Sequence, residues 1–278
     1  RLGNYSPVLH FSDKESEDED IIAFLDEQYV RIKNSATDAK LVCDIRSGRQ
    51  FDMDKLRPFA LFFIPPDESP LYKFGSEVLG YDIRKQNRIN GKWKNEVGDA
   101  INYGFHLTLC DVLFYLNEEE IRYIHEEVEF LAHEFGSFEL TDLQIKTSFP
   151  DSSSISIAME DPSGSLEALH NELIFRINRR AISSNYRLSL AKLSRDHDIQ
   201  RANLLMKRYQ VPYILSRFCP HFTVFTNVPP NKQTEVWREV NEKFSDMVLD
   251  KSVRVEQMAI MNKSNQQMAW HIEKEISL

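Results

Sequence analysis

Two short runs, Tyr103-Gly104-Phe105-His106-Leu107-Thr108-Leu109 and Cys219-Pro220-His221-Phe222-Thr223-Val224-Phe225, each set a His-x-Thr triplet among apolar residues. On an extended strand, neighbouring side chains point to opposite faces. His106 and Thr108 therefore share one face, while Phe105, Leu107 and Leu109 share the other. His221 and Thr223 separate from Phe222 and Val224 in the same way. A strand patterned like this packs on its apolar side and leaves an imidazole and a hydroxyl lining something, so the fold must accommodate two strands buried on one face only. A third match, His10-Phe11-Ser12, lacks an apolar flank on its far side and is set aside.

Two imidazoles facing across a cleft suit a reaction that takes a proton from a nucleophile while giving one to a leaving group. Hydrolysis of a phosphodiester has that need. A threonine hydroxyl beside each histidine can donate to non-bridging phosphate oxygens as their charge grows. This chemistry requires no metal and no cofactor. A zinc site is the alternative that two histidines invite, but no His-x-His and no acid at matching spacing accompanies them. Cys219, separated from His221 by Pro220, is poorly spaced for a thiolate–imidazole pair and reads as a packed thiol.

Both motifs, together with Arg57-Pro58-Phe59-Ala60-Leu61-Phe62-Phe63-Ile64-Pro65-Pro66, Leu79-Gly80-Tyr81-Asp82 and Val211-Pro212-Tyr213, resemble the two-histidine phosphoesterase superfamily, and within it a branch linked to phosphonate metabolism. The resemblance spans roughly residues 56–225. It implies a pseudo-symmetric α+β fold with the motifs on central strands, and catalysis by His106 and His221 with Thr108 and Thr223 on the phosphate. The chain departs from the pattern at Cys219-Pro220 and in a longer polar loop over residues 83–102, departures that bear on substrate more than on chemistry.

The net charge of −9 argues against a generic polyanion-binding surface, so bulk DNA is not the expected partner. A small phosphodiester or nucleotide, or an RNA end, would be held by local groups instead. Three cysteines, Cys43, Cys110 and Cys219, make no disulfide framework and fit a reducing, intracellular compartment. No apolar run approaches the roughly 18–20 residues of a membrane helix. A monomer is expected, and the absence of a leading methionine leaves a removed leader open.

Along the chain, residues 1–20 end in an acidic block and read as a mobile arm, followed by an amphipathic helix over residues 21–32 within a helical extension reaching residue 55. Residues 56–66 form a dense apolar run expected as a central strand. Ser69-Pro70 opens a helix that exits at Gly80. In the loop over 83–102, Arg84, Lys85, Arg88, Lys92 and Lys94 surround Trp93, which either steers a phosphate and stacks a base or anchors a solvated loop. Asn117-Glu118-Glu119-Glu120 begins a helix with His125 and His133 off its core face. Strands follow at 138–147 and 154–158. Asp161-Pro162 then caps a helix carrying Leu166, Leu169, Leu173, Ile174 and Ile177, with His170 on a helix face. Arg187, Lys192 and Arg195, ahead of a helix over 198–209, look like an insertion over the site. Tyr213 and Arg217 fall near the second motif by chain continuity, and Tyr103 adjoins the first. A helix with Val236, Trp237, Val240 and Phe244 precedes strands at 252–261 and 268–276, read as completing the second lobe.

The mixture of segregated helices and strands is α+β, with two antiparallel sheets meeting at a groove, helices outside, and the strand at Leu56 supplied to the other lobe. The bilobal domain is expected over residues 56–278, and a binding module that keeps the fold without catalysis is the competing reading. Because one histidine must be neutral while the other is protonated, the rate is expected to be bell-shaped and centred near ~6.5 to neutrality.

Overall fold

A computed structural model describes residues 41–43, 50–52, 56–115, 117–148, 154–184, 198–226, 228–263 and 270–278. The expected acidic arm, the helix over 21–32, and Arg187, Lys192 and Arg195 lie outside the described residues. Within the expected helical extension, β1 (Leu41–Cys43) and β2 (Gln50–Asp52) pair antiparallel.

The apolar run yields β3 (Arg57–Phe63), and α1 (Pro70–Leu79) follows it. Ser69 caps α1 by accepting from the Tyr72 N–H, and Pro70 occupies the first turn, where no N–H is needed. A hairpin of two-residue strands, β4 (Tyr81–Asp82) with β5 (Asn87–Arg88), leads to β6 (Leu107–Tyr115), which begins within the first motif, just after His106. Then come α2 (Glu118–Phe135), β7 (Phe138–Ser148), β8 (Ser154–Glu160), α3 (Ser165–Arg176), a short β9 (Ser183–Ser184) and α4 (Ile199–Tyr209). The second motif begins β10 (His221–Phe225), followed by α5 (Gln233–Met247), β11 (Val253–Val255), β12 (Gln257–Asn262) and β13 (His271–Ser277).

The main sheet is antiparallel, with the order β11-β7-β8-β10-β6-β3-β12-β13 and β9 against β6. It consists of two four-stranded halves joined through β10 and β6, where Phe222 opposite Leu107 is the described pair. One half holds each motif. The α+β class and helix-covered sheet match expectation, but strand allocation does not. β3 lies beside β6, in the half of the first motif. The apolar run over 252–261 breaks at Glu256: β11 joins β7, whereas β12 crosses to β3 and brings β13 with it. The C-terminus therefore completes the first half. The run reads as one strand in the sequence because β12 is buried on both faces and has no alternation to mark its start.

One face of the sheet, bearing Leu61, Phe63, Leu107, Leu109, Ile157, Phe222 and Val224, packs under the helices in the main core. On the opposite face, Ala60, Phe62, Ile64, Val112, Ala259 and Met261 form a second core under Tyr72, Tyr81, Ile83 and Trp270. The stretch expected as a polar loop is thus partly structural: Tyr81 and Ile83 enter the second core, while Trp93, Val97 and Ala100 enter the main one. Two helix expectations also shift. α3 starts at Ser165, and Asp161 caps it from a distance by accepting from the N–H groups of Leu166 and Glu167. On α5, Val236, Val240 and Phe244 are buried, but Trp237 is 37% exposed, because it falls one position round the helix from the stripe that those three form.

Phe105, the residue before the first histidine, stacks on Phe222 at 4.9 Å and lies over Gly75 of α1. A Cβ on Gly75 would fall 2.0 Å from the Phe105 ring. Because a packed core yields little, Gly75→Ala should destabilise the fold by about 1–3 kcal/mol. Urea unfolding measures this as a lower midpoint with an unchanged slope, and a midpoint equal to wild type would refute the close packing.

Candidate active site

The antiparallel register about the Phe222–Leu107 pair sets His106 across from Thr223 and His221 across from Thr108. Phe222 and Leu107 are fully buried in the main core, so alternation turns the four polar side chains to the opposite face. The two triplets are related by a local two-fold axis through their central residues. Directly opposed residues in such a pair have Cβ atoms roughly 4.5–5.5 Å apart, which gathers two imidazoles and two hydroxyls onto one small patch.

Each imidazole is oriented by its own chain. His106 Nδ1 lies 2.9 Å from the Gly104 carbonyl, and His221 Nδ1 lies 2.8 Å from the Cys219 carbonyl. A carbonyl only accepts, so in each ring Nδ1 carries the hydrogen and donates, leaving Nε2 for the groove. The same offset of two residues is reached differently in the two motifs. Gly104 has φ +70°, and a Cβ there would come 2.6 Å from Ile83 Cβ, so both backbone and space require glycine. Cys219 is an exposed thiol whose backbone makes the contact, so its role near His221 is positional.

The surroundings of the two rings differ. His106 stacks on Phe62 at 3.8 Å, with Tyr103 at 6.3 Å, whereas His221 is exposed. Desolvation against these rings pushes the His106 pKa down to about 4, opposed by the hydrogen bond to Gly104 and reinforced by the nearby His221 charge. His106 is therefore a neutral imidazole at neutral pH. Neither the Thr108 nor the Thr223 hydroxyl, on half-buried residues, has a hydrogen-bond partner among the described residues. Across β10, Ser156 opposes Thr223 and Ala158 opposes His221, extending the patch onto β8.

Other expected site residues are placed less centrally. Tyr103 borders the patch, stacked on Trp270 at 6.3 Å. Arg217 lies over the Tyr213 ring at 5.0 Å and reaches the Asp198 carbonyl at 3.5 Å, so both belong to a cluster at the start of α4. Trp93 is turned inward: it is 7% exposed, packs edge-on against Phe225 and donates to Glu239. The base-stacking reading of Trp93 does not hold. Its basic neighbours are largely engaged as well, with Arg84 on Glu275, Lys85 on Asp67 and Asp82, and Lys92 on Glu239. His170, expected on a helix face, is buried against Phe218 with Nδ1 on the Leu109 carbonyl, tying the approach to the second motif to the strand of the first. Ser156 and Phe62 escape a sequence reading. The alternation over 154–158 marks Ser156 as facing away from the apolar side, but only strand pairing reveals that it neighbours Thr223. Among the described residues, no group of three or more His, Cys, Asp or Glu converges on a metal-sized space, and no helix is long and apolar enough to cross a membrane.

Comparison with known proteins adds the following. Residues 114–271, more than half of the chain, match the family model described as "Protein of unknown function (DUF1045)"; the match includes the second motif and begins after the first. Among solved structures, a crystal structure of a phosphoesterase is 15% identical, with 80% of this chain and 98% of that chain covered and a TM-score of 0.42. Escherichia coli LigT complexed with 3'-AMP is 14% identical over 80% and 98%, with a TM-score of 0.41. Kluyveromyces marxianus Usb1 is 10% identical over 81% and 100%, with a TM-score of 0.40. No curated protein matches the sequence significantly.

The desolvation of His106 is directly testable. In an NMR titration, the His106 ring should stay neutral down to pH 5 and take up its proton near 4. The unfolded chain binds that proton near ~6.5, so this histidine's contribution to stability is present at neutral pH and is lost as pH falls from there toward 4. A His106 midpoint at the ordinary imidazole value would contradict the desolvated environment.

Proposed function

The chain belongs to the DUF1045 family, a membership that assigns no chemistry, and from the groove itself we propose a metal-independent phosphodiesterase that works by two-histidine general acid–base catalysis. The observation that carries this reading is the antiparallel Phe222–Leu107 pair, whose register, continued one residue each way, opposes His106 with Thr223 and His221 with Thr108 on one face. In this reading the catalytic unit is residues 56–278. The substrate is a cyclic or 2′,5′-type phosphodiester of a small nucleotide, a sugar phosphate or an RNA end. The resemblance to a phosphonate-linked branch adds a cyclic ribose phosphate to that set.

The two histidines have separable roles. His106, neutral with its pKa at about 4, offers an Nε2 lone pair and acts as the base. In this assignment His221, the solvent-exposed member of the pair, is the acid. Water attacks phosphorus and loses a proton to His106 Nε2, the bond from phosphorus to the leaving oxygen breaks, and His221 Nε2–H protonates that oxygen. One proton has moved from water to His106 and one from His221 to product, and exchange with solvent resets both rings. The Thr108 and Thr223 hydroxyls donate to the non-bridging oxygens, whose charge increases in the transition state. Tyr103 flanks the reacting centre, and Tyr213 with Arg217 forms an outer wall.

His106→Ala and His221→Ala should each lower kcat by roughly 10²–10⁴, the range for loss of a positioned proton-transfer group. Thr108→Val and Thr223→Val should cost about tenfold each, one phosphate hydrogen bond apiece. Since kcat/KM reports the free enzyme, its acid limb should follow His106 toward pH 4, below the neutral-centred profile that unperturbed imidazoles would give. The assay panel is 2′,3′-cyclic nucleotides, a cyclic ribose phosphate and 2′,5′-linked oligonucleotides, each with EDTA. Activity abolished by EDTA and restored by zinc or manganese would overturn the mechanism, and tight nucleotide binding without turnover would establish the binding-module reading in its place.

A further inference from the structure

On the helix side of the sheet, behind the two motifs, one buried polar side chain has no part in the chemistry described above. His170, on α3 beside the buried Leu166, Leu169, Leu173 and Ile174, is 3% exposed. Its Nδ1 lies 2.9 Å from the Leu109 carbonyl, which only accepts, so Nδ1 carries the hydrogen. Nε2 is left with a bare lone pair, buried and without a hydrogen-bond partner among the described residues. Desolvation holds the ring neutral, with its pKa pushed down to about 4. A leucine or phenylalanine would fill the same space without stranding an acceptor, whose burial is unfavourable. Packing alone gives no account of an imidazole here.

The two contacts of this ring fall next to the two motifs. β3 pairs Phe62 with Thr108 and Leu61 with Cys110, so Leu109 is the extra residue of a bulge that opens directly after Thr108. On the other edge of β6, β10 pairs at Leu107 and β9 at Leu113 and Phe114, which leaves residues 109–112 without a strand partner on that side among the described residues. A bulge re-aims the strand it interrupts, and a buried carbonyl left out of the ladder needs a donor. His170 Nδ1–H is that donor. The face of the same ring stacks on Phe218 at 3.6 Å and 6°. Phe218 immediately precedes Cys219, whose carbonyl accepts from His221 Nδ1.

We propose that His170 is a positioning residue for both motifs at once. Through Nδ1–H it fixes the strand directly behind Thr108, and through its ring face it fixes Phe218 and hence the Cys219 carbonyl that orients His221. It acts through these neighbours and meets no substrate, because it lies on the opposite side of the sheet from the four polar motif side chains. Its effect on turnover rests on the phosphodiesterase reading of that patch; its effect on the geometry of His221 does not.

Three substitutions separate the two ties. His170→Asn keeps a donor near the Nδ1 position but removes the stacking face, and His170→Phe keeps the face but removes the donor. Phe218→Leu removes the stack from a half-buried position, so it reports even where a His170 variant does not fold. With a 2′,3′-cyclic nucleotide, each should lower kcat by about tenfold or more while KM changes less than about threefold, the pattern of a misplaced catalytic group. Rates are taken per folded molecule, measured by circular dichroism at the assay temperature. An NMR spectrum of the imidazole nitrogens at about pH 9, well above the ~6.5 of an ordinary imidazole, reads the His221 tautomer without any turnover. Wild type and His170→Phe should hold the Nδ1–H form, whereas His170→Asn and Phe218→Leu should populate Nε2–H. If wild type turns over nothing in the panel but the tautomer shifts in those two variants, the positioning role stands and the catalytic reading falls. An unchanged tautomer in both, or a kcat within about twofold of an active wild type in both, overturns the role of His170.

Discussion

Phe222 and Leu107 pair across the junction of the two half-sheets, and the polar content of the groove follows from that contact. Each is the middle residue of a His-x-Thr triplet, so placing the two apolar side chains in the core forces four polar ones to the other face. A one-residue slip in this register would bury the imidazoles and expose the phenylalanine and leucine, at the cost of desolvating polar groups without partners. The packing of Phe105 between Phe222 and Gly75 guards the register from the helix side. Stability and site geometry are therefore set by the same few residues.

The groove is built from neutral donors more than from fixed charge. Two hydroxyls and two imidazoles on carbonyl tethers can hold an anion without a standing positive field, which suits a chain whose net charge is −9. The asymmetry between the histidines arises from packing. Both use the same carbonyl offset, but only His106 lies against Phe62, and that desolvation holds it neutral. Near-symmetric backbones thus place two imidazoles in unlike surroundings, one stacked on Phe62 and one exposed.

Period-two alternation made the shared face of the His and Thr in each motif readable from sequence, and capping residues did the same for the helix boundaries at Ser69, Gly80 and Asn117, because each signal is local. What could not be read depended on partners distant in the chain. The break at Glu256 is invisible where both faces of β12 are buried, and the ownership of β3 is a matter of pairing alone. Trp93 and Trp237 look alike as aromatic residues in polar stretches, yet Glu239 and Phe225 draw the first inward while nothing described covers the second. His170 resembles a surface residue on its helix until Phe218 and the Leu109 carbonyl close over it. Arg217 and Tyr213 lie close to His221 in the chain, but their described contacts tie them to each other and to Asp198.

The most direct measurement is a crystal structure of the protein with inorganic phosphate bound, read at the groove. Convergence of the His106 and His221 Nε2 atoms and the Thr108 and Thr223 hydroxyls on a single phosphate, each within roughly 2.6–3.2 Å of an oxygen, is the predicted result. A phosphate bound elsewhere with this patch unoccupied, or one reached by only one of the two motifs, would contradict the account.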